Sequence, residues 1–275
     1  MAVRNGGRPA HLTLYLVRAF ASPGFGGNPA AVVPLRAWLE DHRMQAVARD
    51  VNLSETAFVV RHGGEYQLRW FSPNQEVPLC GHATLAAAWV AYRHLQPSRT
   101  DLVFHTRRGP LFASRSVGDA ITIAMPSLAL TPRAPPRAIL AGLRSEPSEV
   151  LVTEMDPNYY AIFEEEAAIR ALSPSFTELE RLHPYGVAAS APGTQTHFVS
   201  RYFAPGSGIP EDPVTGSTHC ALAPYWSGRL GVRRLKAYQL SPQRGELRCV
   251  DAGDRVLLSG GVTPDGAPQN IHIPS

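Results

Sequence analysis

Glu76-Val77-Pro78-Leu79-Cys80-Gly81-His82 and Glu211-Asp212-Pro213-Val214-Thr215-Gly216-Ser217 are two stretches of one chain, 135 residues apart. Glutamate, proline and glycine fall in register between them, and each glycine opens a run of small residues that reads as a helix. Three matches in seven positions carry little alone. Joined to a matching order of elements around them, they point to an internal duplication. After Gly81, the run Leu85-Ala86-Ala87-Ala88-Trp89-Val90-Ala91-Tyr92 has no polar face. A helix that is apolar all round must be buried on every side. A sheet curled around it provides that burial, whereas a flat sheet leaves one side wet.

Outward from these helices, apolar periodicity predicts the same order in both halves. In the first, strands are expected at 11–20, 30–35, 55–61 and 66–71, with a helix over 36–50 carried by Trp38, Met44 and Val47. The helix from Leu85 to about Leu95 follows, then strands at 102–106, 110–114 and 120–124. In the second, strands are expected at 150–153, 159–163, 185–190 and 196–203, with helical stretches across 164–182. A helix from about Ser217 and strands at 235–240, 247–250 and 256–259 complete it.

A chain of 275 residues exceeds the usual single-domain size. Two domains are expected, 1–130 with Glu55 and Cys80-Gly81-His82, and 131–275 with Asp212 and Gly216-Ser217. The final segment is expected to return to the first domain. The densest proline stretch, Ser127 to Pro147, suits the junction. The expected class is α/β (α+β), with two pseudo-symmetric halves, each a curved, mostly antiparallel sheet or barrel around a central helix, and a cleft between them.

Composition narrows the function. With 44% hydrophobic and 18% charged residues, the chain is ordinary globular material. Its net charge is +3 and no basic cluster interleaves with aromatics, so no nucleic-acid footprint is visible. No apolar run reaches 18 residues, so no membrane span is expected. Met1 to Ala10 is polar and reads as a loose leader without a signal-peptide core. Cys80, Cys220 and Cys249 are an odd set without CxxC spacing, read as reduced thiols of a cytoplasmic protein. A zinc set of Cys80, His82, His219 and Cys220 is disfavoured, because adjacent helical residues point about 100° apart. Gly26-Gly27 is no phosphate loop, since neither Lys-Ser/Thr nor GxGxxG follows.

Two glycine-led helix starts facing one another present unpaired backbone N–H groups and positive dipole ends, which suit a carboxylate or enolate oxygen. Only one half offers a matching carboxylate. The offset of 135 places Ser190 opposite Glu55. A single buried carboxylate, its pKa raised by burial, can remove a proton at one carbon and return it at another. Other roles stay open for the neighbours. His82 can cap backbone donors, Asp212 can be a turn residue before Pro213, and Cys80 can be a buried filler. Asn28, after two glycines, fits a turn as well as a substrate contact.

Four ordered blocks carry a resemblance. Gly26-Gly27-Asn28-Pro29-Ala30, Leu53-Ser54-Glu55-Thr56-Ala57-Phe58, Glu76 to Leu85, and Glu211 to Ser217 extended by His219 to Trp226 resemble the signature blocks of the PhzF-like (phenazine biosynthesis-like) family. The likeness spans about residues 11 to 260. It implies the diaminopimelate-epimerase-like fold, no metal, flavin or nucleotide cofactor, and a homodimer. It also implies a cofactor-independent isomerase of a small cyclic or conjugated carboxylate, similar to dihydro-hydroxyanthranilate isomerisation. Carried onto these motifs, Glu55 is the proton carrier, His82, Asp212, Ser217 and Asn28 contact the substrate, and Gly81 and Gly216 supply backbone donors. Related amino-acid epimerases use one cysteine per half, immediately before the glycine. Here Cys80 stands in the first half and Thr215 in the second. A one-cysteine epimerase pairing Cys80 with Glu55, and a binding protein without turnover, are the alternatives.

Overall fold

The computed structural model describes residues 11–116, 120–153 and 157–272. The leader expected over residues 1–10 lies outside the described residues. The first half runs β1 (His11–Ala19), β2 (Asn28–Leu35), α1 (Asp41–Val51), β3 (Thr56–His62), β4 (Glu65–Phe71), β5 (Glu76–Val77) and α2 (Gly81–Val90), then β6 (Asp101–Thr106), β7 (Gly109–Arg115) and β8 (Ile121–Pro126). The second runs β9 (Thr131–Pro132), α3 (Arg137–Leu143), β10 (Glu149–Thr153), β11 (Asn158–Ile162), α4 (Glu166–Ala171), α5 (Phe176–Glu180) and β12 (Gly186–Pro192). It continues with β13 (Phe198–Phe203), α6 (Gly216–Leu230), β14 (Arg234–Gln239), β15 (Gly245–Asp251), β16 (Arg255–Gly260), β17 (Val262–Pro264) and β18 (Gln269–His272).

The pairing order repeats. From β1 through β2, β3, β4, β6, β7 to β8 the ladders are antiparallel, parallel, antiparallel, parallel, antiparallel and antiparallel. From β10 through β11, β12, β13, β14, β15 to β16 the sequence is identical. The two series join where β8 and β16 pair antiparallel, with Ile123 opposite Leu258. Those two residues hold the same place in their halves, so the pseudo-twofold axis passes between them. After each seam strand the chain crosses over. β9 pairs with β10, while β17 and β18 both pair with β1.

The sheet is apolar on both faces where helices cover it. In β3, Ala57 and Val59 turn inward to the core around α2, while Phe58 and Val60 turn outward to Met44, Val47 and Ala48 of α1. That alternation is the period of a strand. In the second half, Val187, Ala189 and Ala191 of β12 face the outer layer of α3, α4 and α5. Every residue of α2 is buried except Trp89, and the helix packs on β1, β2, β3, β8 and β17. A single core cluster contains residues of both α2 and α6. No helix among the described residues is long and apolar enough to cross a membrane.

One expectation is corrected and others gain detail. The helix expected over 36–50 begins at Asp41, because β2 holds the chain extended through Leu35. The helical stretches expected across 164–182 are two short helices, separated at Ser173-Pro174, where the residue before proline is driven from the helical region. The proline-rich junction contains α3, for which Pro136 serves as N-cap. The helix expected to reach Leu95 does so, with Ala91–Leu95 wound as a π-helix.

Candidate functional site

The N-termini of α2 and α6 meet head to head. A Cβ built on Gly81 would lie 3.2 Å from the Cα of Gly216, and one on Gly216 the same distance from the Cα of Gly81. Contact this tight, against backbone rather than a flexible side chain, disfavours any side chain, so both positions hold glycine for a packing reason. Cys80 and Thr215 are the two N-caps, in extended conformation. The first-turn N–H groups of both helices, which have no partner within their own helix, therefore point at one small region.

Each approach to these helices is braced alike. Arg69 grips Glu76 through two bonds of 2.8 and 2.7 Å, and Arg201 grips Glu211 through two of 2.8 and 2.9 Å. Bidentate guanidinium–carboxylate pairs fix geometry as well as charge. The signal was present in the sequence: Arg69-Trp70-Phe71 repeats as Arg201-Tyr202-Phe203, 132 residues later rather than 135. The path from Phe203 to Glu211 is three residues longer than that from Phe71 to Glu76.

That difference corrects the partner of Glu55. Thr56 lies opposite Phe71 and Val187 opposite Phe203, so the place of Glu55 in the second half is Gly186, not Ser190. Ser190 is fully buried four residues further on, donating to the Val199 carbonyl and accepting from Trp226 Nε1. At Gly186 a Cβ would collide with the Tyr202 hydroxyl. The Tyr202 hydroxyl, which donates to Asn158 Oδ1 at 2.7 Å, thus fills the space where a side chain matching Glu55 would start.

Glu55, immediately before β3, brings Oε2 to 3.2 Å from His82 Nε2. The other face of the imidazole meets Asn28 Nδ2 at 3.2 Å and Cys80 Sγ at 3.5 Å. An amide NH2 can only donate, so Nδ1 is the acceptor and the proton sits on Nε2. His82 therefore donates to the Glu55 carboxylate. Burial lowers the His82 pKa against the pull of Glu55, which keeps the ring neutral. Burial raises the pKa of Glu55, with Asp212 adding to the rise and His82, Ser54 and Cys80 opposing it. The Cys80 thiol is held well above its ordinary value, first by burial and then by Glu55.

Asp212 enters from the other half. Its Oδ2 accepts from Thr215 Oγ1 at 2.5 Å and its Oδ1 from Asn28 Nδ2 at 3.0 Å. Burial raises its pKa against those bonds. Gln239 locks this corner, donating to the Asp212 carbonyl and accepting from the Thr215 N–H. Asn28, expected among the substrate contacts, stands behind the wall instead. It is fully buried and its amide also donates to the Val214 carbonyl. Gly27 sets that placement: its φ is +67° and a Cβ would collide with the Ala19 carbonyl oxygen.

A cavity of about 140 Å³ is lined by Glu55, Cys80, Gly81, His82, Asp212, Thr215, Gly216 and Ser217. Of the expected site residues, all but Asn28 share this wall. Tyr202, Ser207 and Ile209 also line it, and no sequence motif had marked them. Donor atoms of Glu55, Cys80 and His82 lie within 4.8 Å of one another. His219 is turned elsewhere, Nδ1 at 2.8 Å from the Thr215 carbonyl, with its pKa lowered to about 4 by burial.

Comparison with known proteins bears on the fold and the family. A protein of Pseudomonas aeruginosa named as an uncharacterized isomerase is 48% identical over 249 residues, 90% of this chain and 95% of that protein. The crystal structure of a phenazine biosynthesis protein of the PhzF family from Enterococcus faecalis superposes with a TM-score of 0.88 at 36% identity, covering 96% of this chain and all of that one. A probable proline racemase from Agrobacterium radiobacter shares the fold alone, with a TM-score of 0.65 at 12% identity over 96% of this chain and 93% of that one. The family model described as phenazine biosynthesis-like protein matches residues 17–263, and the chain belongs to that family.

Proposed function

We propose that the chain is a cofactor-independent isomerase that moves a proton within a small cyclic or conjugated carboxylate, with Glu55 as its single acid/base. The observation that carries this is the Glu55 carboxylate, 3.2 Å from a neutral His82 and on the wall where two helix N-termini meet. The names of relatives as isomerases agree with it.

In this reading the substrate carboxylate or the enolate oxygen accepts from first-turn N–H groups at Gly81 and Gly216, with Ser217 and Asp212 orienting the ring. Glu55 takes a proton from one carbon, the electron pair shifts the adjacent double bond, and the Glu55 carboxyl returns the proton to a second carbon. No atom is gained or lost. A pKa raised by burial serves both halves of the cycle, since the same group must accept and release. The repeat supports reading the chain as an internal duplication whose second copy carries Gly186 and the Tyr202 hydroxyl where the first carries Glu55. That asymmetry favours transfer by one carboxylate over a symmetric two-base racemase. Homodimeric state belongs to this reading on the family resemblance, and cytoplasmic location on the reading of the three cysteines as reduced thiols; sedimentation of the purified protein tests the first.

The test is deuterium incorporation from D2O into a panel of cyclic and conjugated carboxylic acids, read by mass spectrometry. Glu55→Gln keeps the shape and should lose about 10² to 10⁴ in exchange rate, while binding of the same acid survives. Exchange at the wild-type rate would make Glu55 structural. The epimerase alternative rests on the Cys80 thiol lying beside Glu55 and His82. Its raised pKa and the engagement of Thr215 with Asp212 argue against it, so Cys80→Ser should retain most of the exchange. A binding protein without turnover would bind an acid and exchange nothing.

A further inference from the structure

The polar cavity around Glu55 is too small for a whole ligand of ordinary size. It adjoins a second cavity of about 510 Å³, within the range of small-molecule sites. Glu55, Leu79, Tyr202, Ser207, Ile209 and Ser217 line both, so the two spaces meet at the acid/base. The wall of the larger one is mostly apolar, with Val77, Leu111 and Leu128 and several prolines. Among the described residues that line it, Glu55 is the single carboxylate, and Arg108 and Arg255 are the arginines. Neither arginine lines the small cavity.

Arg255 opens β16, opposite Pro126 of the seam strand. Its guanidinium lies 5.6 Å from the Phe112 ring, and no acidic side chain among the described residues is paired with it. A guanidinium carries a planar fork of donors that matches a carboxylate. Apolar walls ending in such a fork suit a molecule that is apolar in its body and acidic at its far end.

We propose that the larger cavity is a tail pocket: the substrate is a carboxylic acid with an extended apolar body and a second acidic group, which Arg255 receives. This rests on the isomerase reading, in which the first carboxylate and the reacting carbons occupy the small cavity. Burial of the body supplies affinity, and the distal guanidinium selects diacids over monoacids.

The test titrates the full chain with three probes, acetate, octanoate and octanedioate, following methyl signals by NMR. Octanoate should bind at least tenfold more tightly than acetate and shift the methyls of Leu111 and Leu128. Octanedioate should gain a further three- to tenfold, an advantage that shrinks with added salt. Arg255→Gln should abolish that gain while leaving octanoate within twofold, and Arg255→Lys should keep part of it. The unfolding temperature of each variant separates lost recognition from lost folding. Octanoate binding no better than acetate, or shifting Leu14 and Ile271 on the outer face instead, would overturn the tail pocket. So would a diacid advantage that survives Arg255→Gln. Binding needs no turnover, so the two readings fail separately. Exchange without octanoate binding sinks the tail pocket alone, and octanoate binding without exchange in any acid sinks the isomerase.

Discussion

Glu55 is kept in a place that costs the fold something. Burial raises its pKa, so between its unfolded and folded values the native state binds the proton more strongly than the unfolded chain. Stability then falls as pH rises through that window, and the loss is complete above the folded pKa. A glutamine at this position does not titrate and escapes the loss. Glu55→Gln should therefore be more stable than the parent at pH 8, by on the order of 1 kcal/mol or a few degrees in Tm. The gain should vanish as pH falls below the unfolded value. Asp212 is also raised by burial, but it is present in both proteins and largely cancels in the difference. Tm measured for both from pH 4 to 8 checks this. A variant less stable than the parent at pH 8 would mean that the His82 bond outweighs desolvation, and that Glu55 is a bound carboxylate rather than a poised one.

The two helix starts are the elements on which the site stands, and their glycines differ from others in the same helices. Gly216→Ala would place a Cβ 3.2 Å from the Gly81 backbone, which must shift by a few tenths of an ångström to admit it. The expected loss is about 1–3 kcal/mol, with weakened carboxylate binding. Gly228, exposed in the same α6, has nothing within 4 Å of its Cβ position. Gly228→Ala should gain up to about 1 kcal/mol through helix propensity. Urea midpoints of the pair check both signs at once. These helices were legible because glycine, an apolar run and a second copy coincide in the sequence. Strands were legible where alternation was strong. What stayed hidden had weaker local signals. α3 sits in the proline-dense stretch that suits a domain junction, and one extra residue between Val187 and Phe203 plus three before Glu211 shifted the inferred partner of Glu55 by four places. Tyr202 was hidden because its neighbours Arg201 and Phe203 face the salt bridge and the outer core, and only the strand period turns it to the cavity.

At the scale of the whole molecule, the halves are joined twice over, and this decides how the chain unfolds. The seam pairs β8 with β16 along six residue pairs, from Pro126 opposite Arg255 to Ile121 opposite Gly260. The inner core is one cluster, in which Leu85 and Val90 of α2 sit with Leu222 and Trp226 of α6. The chain end then crosses back, so that β17 and β18 supply partners of β1. A cut between residues 130 and 131, the boundary expected from the sequence, would leave the first piece without β16, β17 and β18. It would expose the long edges of β1 and β8 and the apolar end of α2, and unpaired hydrophobic edges associate. The two pieces are therefore expected to be insoluble or unfolded when made alone, and to recover structure when refolded together. The intact chain should melt in one calorimetric transition whose enthalpy equals the van't Hoff value, as cooperative units do. Two resolved transitions, or a soluble first piece with native-like methyl NMR signals, would show instead that each curled sheet closes its own core around its helix and that the seam is a contact between finished domains.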